Sequence, residues 1–149
     1  GDLAASCHDS DCETLINPDD SSFANPESMT EAIKHYCLSH SLTPPASSAD
    51  YVRVIFRSLA ARIAEVLDQL RSVSPKDIKR LHVIGGGSKN EHLMKMLAQA
   101  TGLPVVAGPA ECTALGNILV QIAAIDTSCT PARLRQITID SCNTKTYKP

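Results

Sequence analysis

Leu81-His82-Val83-Ile84-Gly85-Gly86-Gly87-Ser88-Lys89-Asn90-Glu91 carries a short apolar run into three consecutive glycines and then into a helix start, and the architecture of the chain turns on it. Leu81, Val83 and Ile84, with His82 in the polar phase, read as a strand. Ser88 reads as a helix cap, and Glu91 three residues on completes a capping box. The helix that follows places Leu93, Met94, Leu97 and Ala100 at helical spacing and stops at Gly102. Pro104-Val105-Val106-Ala107 is a second strand. Residues 81 to 107 therefore form a strand, helix, strand unit whose crossover is long enough to make the strands parallel, which implies an α/β sheet.

Upstream of this unit the chain reads as helical. Val52, Ile55, Phe56, Leu59, Ile63, Val66, Leu67 and Leu70 form an apolar stripe after Ser47, with Asp50 as its capping-box partner. The helix they predict ends near Ser72, and Arg53, Arg57, Arg62, Asp68 and Arg71 on its other face read as solvated. Met29, Ile33, Tyr36 and Cys37 predict a shorter helix over residues 29–39, which Thr43-Pro44-Pro45 prevents from continuing. Residues 1–28 are polar and patternless, with turn signals at Asn17-Pro18-Asp19-Asp20 and Asn25-Pro26, and read as a surface-running connector.

Downstream, Gly108-Pro109 leads into a helix from Glu111 to about Ile125. Its Ala114, Leu115, Ile118, Leu119, Val120, Ile122 and Ala123 leave little polar face. A helix apolar nearly all round is buried on several sides, so in a chain of 149 residues it implies packing against something outside the sequence. Gly116 in its middle costs about 1 kcal/mol relative to alanine, which a close approach of backbone or ligand would explain. A short helix signal covers residues 131–136, and the rest of the tail is polar. The chain opens on Gly1 rather than Met, which also reads as a piece of something longer.

Composition narrows the function classes. Lys plus Arg number 14 against 16 Asp plus Glu, a net charge of -2, so there is no positive field to gather nucleic acid or anionic lipid. Only two Phe, three Tyr and no Trp are available to stack a sugar or a base, so a ligand must be held by backbone groups and aliphatic walls. No apolar run approaches the roughly 18 residues of a spanning helix, and the chain reads as soluble and cytoplasmic. The six cysteines include no CxxC pair, and Cys7-His8 with Cys12 lacks a second ligand pair at zinc-site distance. Cys37 and Cys112 read as small core residues, and His8, His35, His40 and His82 as solvated or packed side chains.

The triple glycine is the one local feature that asks for a ligand. Without side chains, the turn lets a phosphate or ribose approach the backbone, and N–H groups at the helix start, aided by its dipole, suit an anion. Glycines also serve strand-to-helix turns that bind nothing, so a structural reading stands beside the binding one. Better-known motifs fail residue by residue. GxxxxGK[ST] is absent; a dinucleotide fingerprint needs glycine where Asn90 stands and an acid where Ala107-Gly108 stands; and Ser88 lacks the GxSxG context of a catalytic elbow.

Three strings together carry a resemblance: residues 82–90, then Ala100-Thr101-Gly102-Leu103-Pro104 through Ala107-Gly108-Pro109-Ala110-Glu111, then Thr113-Ala114-Leu115-Gly116-Asn117 through Gln121. They resemble the carboxy-terminal nucleotide-binding segment of FGGY-family carbohydrate kinases, most closely the branch acting on rhamnulose. Ile16 to Asp20, the Tyr36-Cys37 pair and Thr146-Tyr147-Lys148-Pro149 fit the same branch. The resemblance implies a helix-rich α/β fragment of an actin-like ATPase (ribonuclease H-like) domain. It has a small parallel sheet, with residues 1–28 as connector and 29–149 as a partial carboxy-terminal domain.

The resemblance also implies chemistry. ATP with Mg²⁺ would be the phosphoryl donor, a ketose sugar the acceptor, and the missing amino-terminal half of the kinase the partner. Gly85, Gly86 and Gly87 would line the adenosine and phosphate side of the cleft, Asn90 would meet the ribose or base, and Ala107 and Gly108 would form part of the adenine wall. Glu111, at a helix start, reads as a dipole-complementing residue rather than a catalytic acid. The family's phosphate loop, sugar-binding residues and catalytic Asp precede this stretch, so the chain is expected to be inactive alone, with self-association through exposed apolar surface. The alternatives are a xylulose or glycerol kinase of the same family, or a non-catalytic scaffold domain.

Overall fold

The computed structural model describes residues 3–126 and 128–149; Gly1, Asp2 and Thr127 lie outside them. In chain order the elements are α1 (Met29–Ser39), α2 (Ser48–Val73), β1 (Leu81–Val83), α3 (Glu91–Thr101), β2 (Val105–Ala107), α4 (Cys112–Ile125), α5 (Pro131–Ser141) and β3 (Lys145–Tyr147). Short 3₁₀ turns occupy Ala5–Asp9, Ser21–Phe23 and Gly86–Lys89.

Helix α2 is the beam on which the rest is built. Its start is fixed by the predicted capping box, with the Ser47 side chain accepting from the Asp50 amide and the Asp50 carboxylate accepting from the Ser47 amide. Ser10 Oγ also donates to Asp50 Oδ1 at 2.6 Å, so the cap doubles as an anchor for the amino-terminal segment. These donors hold the Asp50 carboxyl down to about 2, because each favours its charged form.

The beam serves two cores. Toward its start, Val54 packs with Ile16, Ile33 and Cys37, and α1 lies over it. Farther along, Ala60 joins Met94, Leu97 and Ala98 of α3, Val105 and Ala107 of β2, and Tyr147 of β3. Met94 and Leu97 are essentially buried, each contributing about 1.5–3 kcal/mol of transfer free energy. Burial thus falls on several sides of α2, including Val54, Ser58 and Ala60 beyond the single predicted stripe.

The arginines expected to be solvated are engaged. Arg53 Nε and Arg57 Nη1 both donate to the Cys12 carbonyl at 3.1 Å, both pair with Glu13, and Arg62 pairs with Asp19 at 2.6 Å. The backbone carbonyls of residues 7–19 have no sheet to bond to, and arginine forks supply the donors instead. Segment 5–23 is thereby laid along α2, with Cys7, Ser10 and Ile16 buried.

The strand, helix, strand unit forms as predicted, β1 pairing parallel to β2 with Leu81 opposite Val105 and Val83 opposite Ala107. The sheet is mixed rather than parallel. β3, within the tail read as polar, pairs antiparallel to β2 with Val105 opposite Tyr147, giving the order β1-β2-β3. Its anchor is Tyr147, whose ring fills the core beneath the sheet.

One cap assignment also changes. Asn90, not Ser88, caps α3, its Oδ1 accepting from the Leu93 amide at 3.1 Å, while Ser88 sits in the preceding 3₁₀ turn and donates its hydroxyl to Gly85 O at 2.7 Å. Gly102 ends α3 in the left-handed region, as its position predicts. Helix α5 runs five residues past Gln136, to Ser141. Cys112 is half-buried rather than a core residue.

Helix α4 is the exception to the packing. None of its residues is buried, and Ile118, Val120 and Ile125 stand exposed. Among the described residues no helix is long and apolar enough to cross a membrane.

Candidate functional site

In an open α/β sheet, ligands bind outside the carboxyl ends of the parallel strands. Here that edge is built from the loops after β1 and β2, and two backbone bonds tie them together. Gly108 N–H donates to Val83 O at 2.8 Å, and Gly85 N–H donates to Pro109 O at 3.0 Å. The glycine turn and the Gly108-Pro109 loop thus form one platform.

Gly85 takes φ 82° and ψ -174°, a combination closed to residues with a Cβ, and this lets the chain turn out of β1. Gly86 and Gly87 face open space: a Cβ added at either would meet nothing within 4 Å. They begin a 3₁₀ turn, so their amides point ahead of any helical carbonyl. Gly108 is the contrast. It takes φ 104°, and a Cβ there would stand 3.1 Å from Asn143 O, so this glycine is required by the packing of the carboxy-terminal segment.

Two cavities open beside the platform. One, of about 450 Å³, is lined by Ala4, Gly86, Lys89, Asn90, Glu91 and His92. The other, of about 350 Å³, is lined among others by Ala107, Gly108, Ala110, Asn143, Lys145 and Tyr147. Lys89 and Glu91 border both, forming the ridge between them. Larger or better enclosed hollows along α2, around Asn17 to Asp19, lie away from the platform.

The predicted residues are therefore divided. Gly86 and Asn90 line the first cavity, Ala107 and Gly108 the second, and Gly85 and Gly87 shape the turn without lining either. With its Oδ1 committed to the helix cap, Asn90 has its Nδ2 to offer a ligand. Asn143, Lys145 and Tyr147 were not anticipated as site residues; the β-prone Thr146-Tyr147 pair was the available signal.

The charges on the platform are arranged in pairs. Lys145 Nζ meets Glu91 Oε1 at 2.5 Å, which holds the Glu91 carboxyl below the usual range and raises the lysine. Lys89 reaches Glu111 at 3.7 Å. Glu111 precedes α4 without a side-chain capping bond and lies exposed, so its environment gives it no feature of a buried catalytic acid. Among the described residues, no group of three or more His, Cys, Asp or Glu is gathered as a metal site.

Residues 1–125 match the family model described as the FGGY family of carbohydrate kinases, C-terminal domain. The chain belongs to this family. Two relatives agree with the match. A rhamnulokinase of Bacteroides thetaiotaomicron is 47% identical over 136 residues, and one of Mannheimia succiniciproducens is 39% identical over 136 residues. Each alignment covers 91% of this chain and 28% of the relative. The FGGY chain described here thus spans a little over a quarter of those proteins.

Proposed function

We propose that the chain is the adenosine-side, ATP-binding portion of a cytoplasmic sugar kinase with the actin-like ATPase fold. The kinase would be one that converts ATP and L-rhamnulose into ADP and L-rhamnulose 1-phosphate. The observation that carries the nucleotide reading is the tied platform at the carboxyl ends of β1 and β2, with an open glycine turn and a cavity on either side. The choice of rhamnulose rests on the relatives, since none of the platform residues is assigned to the sugar.

In this reading Gly86 and Gly87 offer backbone donors to the nucleotide, Asn90 Nδ2 meets the ribose or base, and Ala107 with Gly108 walls the adenine. Gly85 sets the turn that presents these groups. ATP, when bound, supplies the phosphoryl group. Mg²⁺, when bound with ATP, would be held chiefly by the phosphates and water. Proton abstraction from a sugar hydroxyl is assigned to no residue here, since the resemblance places the family's catalytic Asp upstream of this stretch. The chain alone is therefore inactive, and its partner is the remainder of the kinase.

Titrating the isotopically labelled chain with MgATP while following its amide signals tests the assignment. Shifts confined to residues 85–90 and 107–108 are expected, with no sugar phosphorylation by the chain alone. Amide signals that stay unmoved at millimolar MgATP would instead favour a structural glycine turn in a scaffold domain.

A further inference from the structure

The carboxy-terminal strand brings a cation to the platform that the reading above does not use. β3 is fixed in place on three counts: Tyr147 is buried in the core, Lys145 is in register opposite Ala107, and Asn143 O packs against Gly108. Its side chains can therefore act as part of the site rather than as a loose tail. Lys145 lines the cavity beside the Ala107-Gly108 wall, with Nζ 5.2 Å from the centroid of the Tyr147 ring and in contact with Glu91 on the ridge. Both partners of that ion pair are more than half exposed, so the pair is weak and exchangeable.

We propose that Lys145, whose Nζ stands against Glu91 on the ridge shared by the two cavities, contacts the phosphate chain of a nucleotide whose base lies against Ala107 and Gly108, and that Glu91 holds its ammonium there until the nucleotide displaces it. The proposal rests on the nucleotide reading given above. A phosphate chain presents several oxygens and more than one negative charge where Glu91 presents a single carboxylate, so Lys145 gains by the exchange. No covalent step is involved. Glu91 competes with the ligand while the site is empty, and as the ammonium turns away the carboxylate is left on the exposed first turn of α3, where the helix dipole favours it. Glycine amides that provide donors but no formal charge are thereby supplemented by a cation from β3, far downstream in the chain.

Calorimetric titration of the chain with adenosine and with ADP, for wild type, Lys145→Met, Lys145→Arg and Glu91→Gln, tests this. The nucleoside reports the base and ribose contacts and ADP adds the phosphates. Lys145→Met is expected to weaken ADP several-fold and leave adenosine unchanged, Lys145→Arg to retain ADP, and Glu91→Gln to tighten ADP by removing the competitor. A lysine that merely fastens β3 to α3 predicts the opposite pattern, with Lys145→Met and Glu91→Gln weakening both ligands alike, and that result overturns the proposal. So does a Lys145→Met variant that binds ADP as wild type does, which leaves the nucleotide reading intact. Wild-type chain that binds neither probe removes the nucleotide reading itself and this proposal with it.

Discussion

Replacing the first and second glycines of the turn, one at a time, separates what the fold needs from what a ligand needs. At Gly85 an added Cβ meets nothing within 4 Å, so Gly85→Ala introduces no collision; its cost is the backbone conformation alone, φ 82° with ψ -174°. Holding an alanine in that region costs about 1–3 kcal/mol. In a domain of this size each kcal/mol moves the melting temperature by about 2–4 °C, so Gly85→Ala is expected to melt roughly 2–12 °C lower. At Gly86 the added Cβ also meets nothing within 4 Å, and φ lies outside the left-handed region. The alanine there restricts the unfolded chain more than the folded one, a gain of about 0.4–1 kcal/mol. Thermal and urea unfolding of both variants should give opposite signs. Amide titration with MgATP then isolates the ligand's requirement, because the Gly86→Ala methyl group stands in the cavity lined by Gly86 and Asn90. A stable Gly86→Ala chain that has lost its shifts is the expected outcome. The reasoning fails if Gly85→Ala melts with wild type, if Gly86→Ala falls as far as Gly85→Ala, or if a stable Gly86→Ala binds MgATP unimpaired.

Gly108→Ala should cost more than Gly85→Ala, since strain at φ 104° adds to a 3.1 Å contact with Asn143 O; hydrogen exchange should show β3 amides opening faster than those of α2. Asp50, with its carboxyl held at about 2, contributes stability that is present in full above the ordinary aspartate value near ~4 and is lost as pH falls toward 2. Asp50→Asn should therefore flatten that acid limb in urea midpoints measured across the same window, and an unchanged slope would refute the assignment. Ile125→Lys, at a position 87% exposed, should shift unfolding by no more than about 0.5 kcal/mol while reducing self-association in sedimentation velocity. Replacing Arg53 and Arg57 together by Ala should expose residues 7–13 to proteolysis before any other segment, because both anchor the Cys12 carbonyl and Glu13.

What the sequence disclosed was local chemistry. The bounds of α1, the capping box of α2 and the αL stop of α3 each depend on residues within one helical turn of one another, and each is where the sequence puts it. The parallel pairing of β1 and β2 was legible too, because one helix joins them and its length fixes their direction. β3 was not. Lys145-Thr146-Tyr147 is too short to show a period of two, and its partner lies about 40 residues upstream. The misplaced α3 cap has a different cause. Ser88 and Asn90 are equally good capping types, and only the intervening 3₁₀ turn over Gly86–Lys89 decides between them. The arginine row of α2 looked solvated because periodicity reports which face is polar, not what that face is bonded to.

For the site, the same division explains which residues were missed. Gly85, Gly86, Gly87 and Asn90 are contiguous with the turn and helix start they form, so the string and its family resemblance were enough to nominate them. Asn143, Lys145 and Tyr147 reach the platform only through the third strand. Helix α4 extends the argument to contacts this chain does not make. Cys112–Ile125 carries no charged residue, yet none of its side chains is buried, and covering an exposed isoleucine is worth about 1.5–3 kcal/mol when complete. A sequence encodes surfaces for everything the folded protein touches. On the function proposed above, the uncovered apolar helix would be half of an interface with the remainder of a kinase, and its polar substitution should then cost the assembled enzyme far more than it costs this chain.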